Sequence, residues 1–379
     1  MATVATASPG WMACSPKPPP KAPAAPPPKP LDLRLLPEGQ PEIEALMALP
    51  GLWQRERGRT KFAVVVDGEP AGAGNFDGLV GPLALDVKRN PFLVVQDTAQ
   101  GRRLTERRAS PALRKIMDEA DQAFSTGKVD EALAGYRKVI EYDPLFPKPY
   151  FYVAAALKHR RDFEGADAWI ERGLRLHERD PFGYALRAEM LEEQGKDTVA
   201  RETLARAFAL DPYSPPALRV KAKMARLAGQ RDVRPGVQPH IFVARSGPSE
   251  LVARAAGHPV WREYAVCRAL LAFDTRVRAE FLQVIPQGVL SPIEETTCGF
   301  MVTAAYLHAR ERGAGEDLDL ERWSKAFDAG LLREAVIYDV LGCRRPEILA
   351  LLPDDVQVKM VEYARIFIVP AAARRSGPP

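Results

Sequence analysis

An internal repeat with a period of 34 residues, between about Leu113 and Gln230, constrains the fold more than any other feature of the chain. Residues near the end of each unit keep this step, and so do residues in the turn at its centre: Tyr142, Leu176 and Leu210; then Gly127, Arg161, Gly195 and Gly229. A constant period of this length indicates a solenoid, in which each helical hairpin buries its apolar face against its neighbours. The step predicts three units, at 113–146, 147–180 and 181–214, and then a capping helix at 215–227.

Residue size follows the same period. Small residues recur where the two helices of a hairpin approach closely, and larger residues recur where successive hairpins stack. The small set is Ala120, Ala154, Ala188 and Ala222, then Ala132, Ala166 and Ala200; the large set is Ile116, Tyr150, Tyr184 and Leu218, then Tyr136, Ile170 and Leu204. This phased alternation resembles the tetratricopeptide repeat (TPR) family, whose unit is a helix–turn–helix of 34 residues. The resemblance covers about a third of the chain.

The second unit departs from the family pattern at three positions. Arg161 stands where a turn glycine is usual, Gly173 replaces a second-helix alanine, and Glu178 replaces the terminal proline. We therefore expect the second unit to run a few residues longer before Asp180 and Pro181.

The resemblance implies that the first helix of each unit lines a concave groove that binds a partner. The partner-binding residues implied in this way are Phe124, Lys148, Phe151, Lys158, His159, Phe182, Glu189, Arg219 and Lys223. Aromatic side chains among charges of both signs suit a peptide or a helix of another protein. Family members that bind chaperone tails clamp a C-terminal carboxylate with Lys, Asn and Arg. Those positions hold Met117, Asp121, Tyr152 and Phe182 here, which disfavours a chaperone tail.

The N-terminal part of the chain is predicted to contain two regions. Residues 1–30 form a disordered Pro-rich tail, because PKPPPKAPAAPPPKP favours extended polyproline II. This tail is interpreted as a tether, although its PxxP spacing also fits a docking site. Residues 31–110 form a small α+β segment. Its expected elements are a helix near 41–48, strands at 61–68 and 91–98, a Gly-rich loop between the strands, and a basic linker at 101–108.

Residues 240–370 are predicted to form an all-α domain, which makes the whole chain mainly α. Helices are expected at 258–273, 291–312, 318–329, 331–341 and 354–369. The expected core residues are Trp261, Tyr264, Leu270, Phe300, Tyr306, Trp323, Phe327 and Phe367.

Composition narrows the possible partners and compartments. The net charge is +4, from 53 basic and 49 acidic residues that are mixed along the repeats and the C-terminal region. We therefore expect no nucleic acid partner, and no apolar run reaches the roughly 20 residues of a membrane span. The four cysteines form no CxxC pair, so neither a disulfide framework nor a zinc site is expected. Together with a poor secretory signal, this predicts a reducing, cytoplasmic location, and the Ala, Arg and Pro content suggests a bacterial source.

The sequence predicts a non-catalytic protein-interaction or scaffold protein, with no catalytic residues, metal or cofactor. The Cys267/His258 and Cys298/His308 spacings place each pair off a common helix face. The adjacent acids at 294–295 and 354–355 are interpreted as helix starts. Two alternatives remain open: an enzyme whose site lies in the C-terminal region or the Gly-rich loop, and an envelope-associated assembly factor anchored near Cys14. The oligomeric state is not determined by the sequence.

Overall fold

The computed structural model describes the repeat region continuously and most of the C-terminal region. The described residues are 54–55, 58–66, 92–98, 101–107, 109–232, 236–237, 241–274, 276–277, 292–343 and 346–371. The expected Pro-rich tail, the helix near 41–48 and the Gly-rich loop lie outside these ranges.

Seven helices form the repeat region, and their bounds follow the 34-residue step. They are α1 (Pro111–Ser125), α2 (Val129–Tyr142), α3 (Lys148–His159), α4 (Phe163–Leu176), α5 (Pro181–Glu193), α6 (Asp197–Leu210) and α7 (Pro215–Leu227). Each unit is a helical hairpin, and α7 follows the third hairpin as expected. The second unit is not longer than the others, because α4 ends at Leu176 and the residues that follow form a turn that leads into α5.

The turn at the centre of each unit has one conformation throughout. Gly127, Arg161, Gly195 and Gly229 all have positive φ, and Arg161 is the one residue of these four with a Cβ. The amide of each donates to the carbonyl three residues earlier, and the next amide donates to the carbonyl five residues before it. This hydrogen-bond pair is the Schellman ending of an α-helix, which needs a left-handed residue at that position.

Two β structures are described, and one of them joins distant parts of the sequence. Strands β2 (Phe92–Thr98) and β3 (Gly101–Arg107) form an antiparallel hairpin. Strand β1 (Ala63–Val65) lies parallel to β5 (Glu250–Ala255), which also pairs with β4 (Ile241–Gly247). The basic run predicted to be a linker is therefore strand β3, because its backbone finds hydrogen-bond partners along the whole of β2.

The C-terminal region is mostly helical. Its helices are α8 (Trp261–Phe273), α9 (Pro292–Glu311), α10 (Leu318–Asp328), α11 (Leu332–Val336), α12 (Glu347–Leu351) and α13 (Asp354–Tyr363). Helix α11 continues as a π-helical turn at Ile337–Gly342, and α13 continues as another at Ala364–Ile368. The mainly α class is confirmed, but the prediction that 240–370 is all-α is wrong at β4 and β5. Their sequence, IFVARSGPSELVARA, alternates apolar and polar residues around Gly247-Pro248, which is a hairpin pattern.

The third repeat and the C-terminal region share one hydrophobic core. Ala200, Leu204 and Phe208 of α6 belong to the same buried cluster as Trp323 and Tyr363 of the C-terminal region. Helices α12 and α13 pack against α6, which is buried on nearly all sides. The first two repeats, with Leu186 and Met190 of α5, form separate buried clusters. The solenoid is therefore covered at its third unit by the C-terminal region.

Two of the four cysteines are bonded to each other. Cys267 of α8 and Cys298 of α9 form a disulfide inside the shared core, where each is at most 1% exposed. The sequence predicted no disulfide framework, and this single bond was not foreseen. Cysteine spacing did not reveal it, because the two residues lie on different helices that meet only in the folded chain. Cys343 is half-buried and outside this disulfide, and Cys14 lies outside the described residues.

Candidate functional site: the first-helix face of the repeats

The candidate site is the surface formed by the first helices of successive units, α1, α3, α5 and α7, here called the first-helix face. Side chains link neighbouring helices of this set. Phe124 of α1 meets His159 of α3, Tyr152 of α3 meets Phe182 of α5, and Glu192 of α5 is paired with Lys223 of α7. The face is thus a continuous strip that crosses three unit boundaries.

An aromatic cluster lies at the middle of the first-helix face, where Tyr152 of α3 and Phe182 of α5 pack with Tyr136 of the second helix α2. The ring centroid of Tyr152 is 5.3 Å from that of Tyr136 and 6.1 Å from that of Phe182. Tyr136 is buried, whereas Tyr152 and Phe182 remain half-buried and present part of their rings at the surface. Such partly exposed, mutually packed rings are the kind of surface that anchors a partner's apolar side chain.

Polar groups fix the orientation of this aromatic cluster. The Tyr136 hydroxyl donates to Asp121 at 2.7 Å, and the Lys148 ammonium lies 5.4 Å from the centre of the Tyr152 ring. Burial raises the pKa of the Tyr136 hydroxyl, and the Asp121 carboxylate beside it acts in the same direction. Burial also raises the pKa of Tyr152, against a lowering effect from Lys148. Both tyrosines are therefore neutral at physiological pH and act as hydrogen-bonding aromatic groups.

Phe151, which the resemblance implied as a groove residue, belongs to the core instead. It is 0% exposed, and its ring occupies the space beside two glycines, Gly173 of α4 and Gly183 of α5. A Cβ on either glycine would lie 2.6 Å from Phe151 Cε1, so both glycines are needed for this packing. The size of Phe151 therefore explains why Gly173 replaces the usual second-helix alanine. The aromatic residue on the first-helix face is its neighbour Tyr152.

Three of the predicted charged residues form ion pairs on this face: Lys158, Glu189 and Lys223. Lys158 lies 3.3 Å from Glu189 and 2.9 Å from Glu193. Burial by itself would lower the pKa of Lys158, but the two glutamates outweigh it and raise that pKa. Lys223 is paired with the buried Glu192. These pairs join α3 to α5 and α5 to α7, so their first effect is to hold the helices in register.

The remaining predicted residues lie toward the two ends of the face. Phe124 is half-buried under the exposed His159, with ring centroids 5.8 Å apart in an edge-to-face arrangement. Arg219 of α7 is exposed. The structure therefore brings together Phe124, His159 and Lys148 with the aromatic cluster, whereas Arg219 lies two helices away on α7.

The four equivalent left-handed turns, the hairpin bounds and the repeated first-helix contacts decide the architecture of this region. Residues 113–230 form a solenoid of three helical hairpins and a final helix, which is the architecture that the resemblance to TPR proteins implies. Its three units follow the 34-residue step without insertion, and its small residues Ala120, Ala154 and Ala188 are buried between helices. Ala222 is exposed, because no further hairpin packs on α7.

No protein-family model and no curated protein matches the chain. The chain is similar to the first TPR of Spaghetti (RPAP3) bound to the HSP90 peptide SRMEEVD, with 21% identity over 32% of this chain and 97% of that one, and a TM-score of 0.29. It is also similar to the Arabidopsis OM64 TPR domain, with 16% identity over 30% of this chain and 95% of that one, and a TM-score of 0.28. The chain is similar to the CopN–Scc3 complex as well, with 17% identity over 30% of this chain and 68% of that one, and a TM-score of 0.27. The solenoid fold is established by this chain's own repeat geometry.

A cavity lies in the C-terminal region, outside the repeat solenoid. It measures about 820 Å³ and is lined mainly by apolar atoms, with His258, Glu263 and His308 among its residues. Of these, His258 accepts from the Val260 amide, and His308 lies 3.6 Å from Glu311. Cys267 and Cys298, the cysteines closest to these histidines in the sequence, are in the disulfide.

Neither a metal-binding cluster nor a membrane-spanning helix is present within the described ranges. No three His, Cys, Asp or Glu side chains come together there in a metal-binding arrangement. No helix in that part of the chain has the length and apolar character needed to cross a bilayer.

The sequence reasoning missed Tyr136 and Tyr152 as members of the site. Tyr136 was assigned to helix stacking, and Tyr152 was noted only because it occupies a clamp position. A usable signal existed, since Tyr152 immediately follows Phe151 and a helix turns about 100° per residue. Only one of two adjacent large aromatics can point into the hairpin core, and the paired glycines assign that role to Phe151.

Proposed function

We propose that this protein is a non-catalytic interaction or scaffold protein whose first-helix face binds a peptide or helix of another protein. The observation that carries the proposal is the half-exposed pair of Tyr152 and Phe182, contributed by two successive repeats. Residues at a unit boundary can contact one ligand from two helices at once, which suits an elongated partner.

The chemistry of the face supports a ligand with an apolar anchor. Tyr152 and Phe182 offer ring surface, Tyr152 adds a hydroxyl, and Lys148 places a positive charge beside them. Much of the surrounding charge is satisfied internally, as in the pairing of Lys158 with Glu189 and Glu193. Affinity would therefore come chiefly from burying apolar side chains of the partner, with Lys148 selecting for a nearby carboxylate or carbonyl.

The carboxylate clamp associated with chaperone-tail binding is not proposed for this chain. Its expected positions hold Met117, Asp121, Tyr152 and Phe182, of which Met117 is buried and Asp121 accepts the Tyr136 hydroxyl. An acid at the centre of the face opposes a C-terminal carboxylate there. We propose an internal peptide segment or a helix as the ligand.

The proposal is tested by affinity capture with mass spectrometry on the full chain and on a Tyr152→Ala/Phe182→Ala variant. A matched control is Tyr142→Ala/Tyr213→Ala, since Tyr142 and Tyr213 are 67% and 40% exposed and lie at the ends of hairpins. We expect the Tyr152→Ala/Phe182→Ala variant, here called the groove variant, to recover at least tenfold less of the proteins that the unchanged chain captures. The control variant should retain them.

Thermal melts of both variants show whether the fold is kept. If the folded groove variant captures the same proteins in the same amounts as the control, the first-helix face is not the binding surface.

A further inference from the structure

The disulfide lies at the centre of the contact between α8 and α9. Cys267 and Cys298 are 0% and 1% exposed, and their Cα atoms are 5.7 Å apart, within the range that a disulfide spans. Both cysteines point into the shared core rather than toward the surface. The bond therefore belongs to the packed interior of the C-terminal region.

A buried charged pair occupies the same helix contact. Arg268 follows Cys267, and its guanidinium is paired with Glu295, three residues before Cys298; both side chains are 1% exposed. The Tyr264 hydroxyl donates to the second oxygen of Glu295 at 3.1 Å. A buried ion pair is stable only while the two groups keep their relative positions, because each charge alone in the core is strongly destabilising. The disulfide fixes the register in which Arg268 and Glu295 meet.

We infer that the Cys267–Cys298 bond is a structural crosslink formed as the chain folds in an oxidising compartment, and that the C-terminal region depends on it for stability. In the reaction the two thiols and one external disulfide, from a thiol–disulfide oxidoreductase or a small disulfide, give the protein disulfide and two external thiols. The two cysteines lose two electrons and two protons in total, and the external disulfide gains them. Structural disulfides are characteristic of such compartments, whereas reducing compartments keep thiols free.

The position of the bond in the chain indicates a large effect. The bonded cysteines are 31 residues apart, so the crosslink closes a long loop in the unfolded chain. Restricting a loop of that length raises the folding equilibrium constant by roughly 10²- to 10³-fold. Because the bond is buried, a reductant reaches it only when the region opens.

The first test determines whether the bond exists in the protein from its native source. Cells are lysed in denaturant with an alkylating reagent, and peptides are mapped without reduction. We expect Cys267 and Cys298 in one linked peptide pair, with Cys14 and Cys343 alkylated. Recovery of Cys267 and Cys298 mainly as alkylated thiols would overturn the inference of an oxidising compartment.

The second test measures stability of the full chain in urea. Cys267→Ala/Cys298→Ala is compared with Cys343→Ala, which removes a half-buried thiol outside the bond. We expect the double variant to lower the folding constant of the C-terminal transition by at least 30-fold, with Cys343→Ala changing it much less. Unchanged urea midpoints in the double variant would refute a stabilising role.

If the double variant does not fold, the unchanged protein is treated with a reductant at increasing urea. Loss of the bond should then parallel loss of helical circular dichroism, whereas full reduction with no change in the urea midpoint would contradict the inference.

Discussion

At the scale of single residues, the repeats depend on a few backbone positions that tolerate little change. Arg161 has φ 63°, and it occupies the turn position that glycine fills in the other units. A left-handed conformation costs a residue with a Cβ roughly 1–2 kcal/mol. Arg161 recovers part of this cost, because its guanidinium lies 5.4 Å from the centre of the Phe163 ring.

Arg161→Gly should therefore stabilise the solenoid by about 0.5–1 kcal/mol, which is the relieved strain minus the lost ring contact. Urea unfolding followed by circular dichroism measures the change. The reciprocal control is Gly127→Arg, where nothing lies within 4 Å of an added Cβ and only backbone strain is introduced. That variant should be destabilised by about 1 kcal/mol. If both substitutions lower the stability, the turn strain is not the dominant effect.

At the scale of elements, the β2–β3 hairpin and the second repeat are joined to α13 through one carboxylate. Asp354, at the start of α13, accepts hydrogen bonds from Arg102 of β3 at 2.9 and 3.0 Å and is also paired with Arg179. Arg179 is buried and donates to the carbonyls of Ala350 and Leu352 at 2.8 and 2.6 Å. Three segments far apart in the sequence therefore meet at Asp354.

This carboxylate predicts a specific dependence of stability on pH. The hydrogen bond from Arg102, followed by that from Arg179, lowers the pKa of Asp354. A lowered pKa in the folded state means that the stabilisation is complete above the unfolded value of about 3.9 and is lost as pH falls through the folded value. Asp354→Asn should cost about 1 kcal/mol between pH 5 and 7, since the carboxylate itself is exposed to solvent.

Melting temperatures from pH 3 to 7 measure this effect. The difference between the unchanged chain and Asp354→Asn should shrink below about pH 4, because the carboxylate binds a proton first in the unfolded chain and at lower pH in the folded protein. Asp355→Asn is the matched control, because it removes a charge from the same exposed helix start and makes no ion pair with a described residue. If the two variants have equally lowered melting temperatures at pH 7, the helix dipole and not the arginine pairs explains the effect.

At the scale of the whole molecule, the solenoid is not an independent unit at its third repeat. Helix α6 has buried residues on nearly every side, because α12 and α13 cover the surface that a free solenoid would leave to solvent. Gln357 of α13 also donates to the Ala209 carbonyl at 3.1 Å. Removing the C-terminal region would expose this apolar surface to water.

A fragment of residues 109–232 should therefore melt at a lower temperature than the full chain, and it should bind more of a dye that reports exposed apolar surface. A fragment of residues 109–371 is the control, since it lacks the same N-terminal residues but keeps the cover over α6. Calorimetry measures the melting temperature of each fragment, and dye fluorescence measures its exposed apolar surface. Identical melting and dye binding of the two fragments would show that the repeats are stable without the C-terminal region.

The sequence by itself determined the elements whose causes are local and repeated. The 34-residue step set the seven repeat helices, and helical patterning set most helices after residue 258. It predicted strands at 61–68 and 91–98, which contain β1 and β2, and it missed β3, β4, β5 and α12. The reason is that side-chain periodicity and helix endings are properties of neighbouring residues.

Only the tertiary structure decided which distant residues meet. It showed that Phe151 fills the space beside Gly173 and Gly183, which leaves Tyr152 for the first-helix face. It also brought Cys267 to Cys298, which spacing along the chain had not indicated. Both outcomes depend on the directions of side chains on packed helices. That information exists only once burial of apolar surface has fixed how the helices lie against each other.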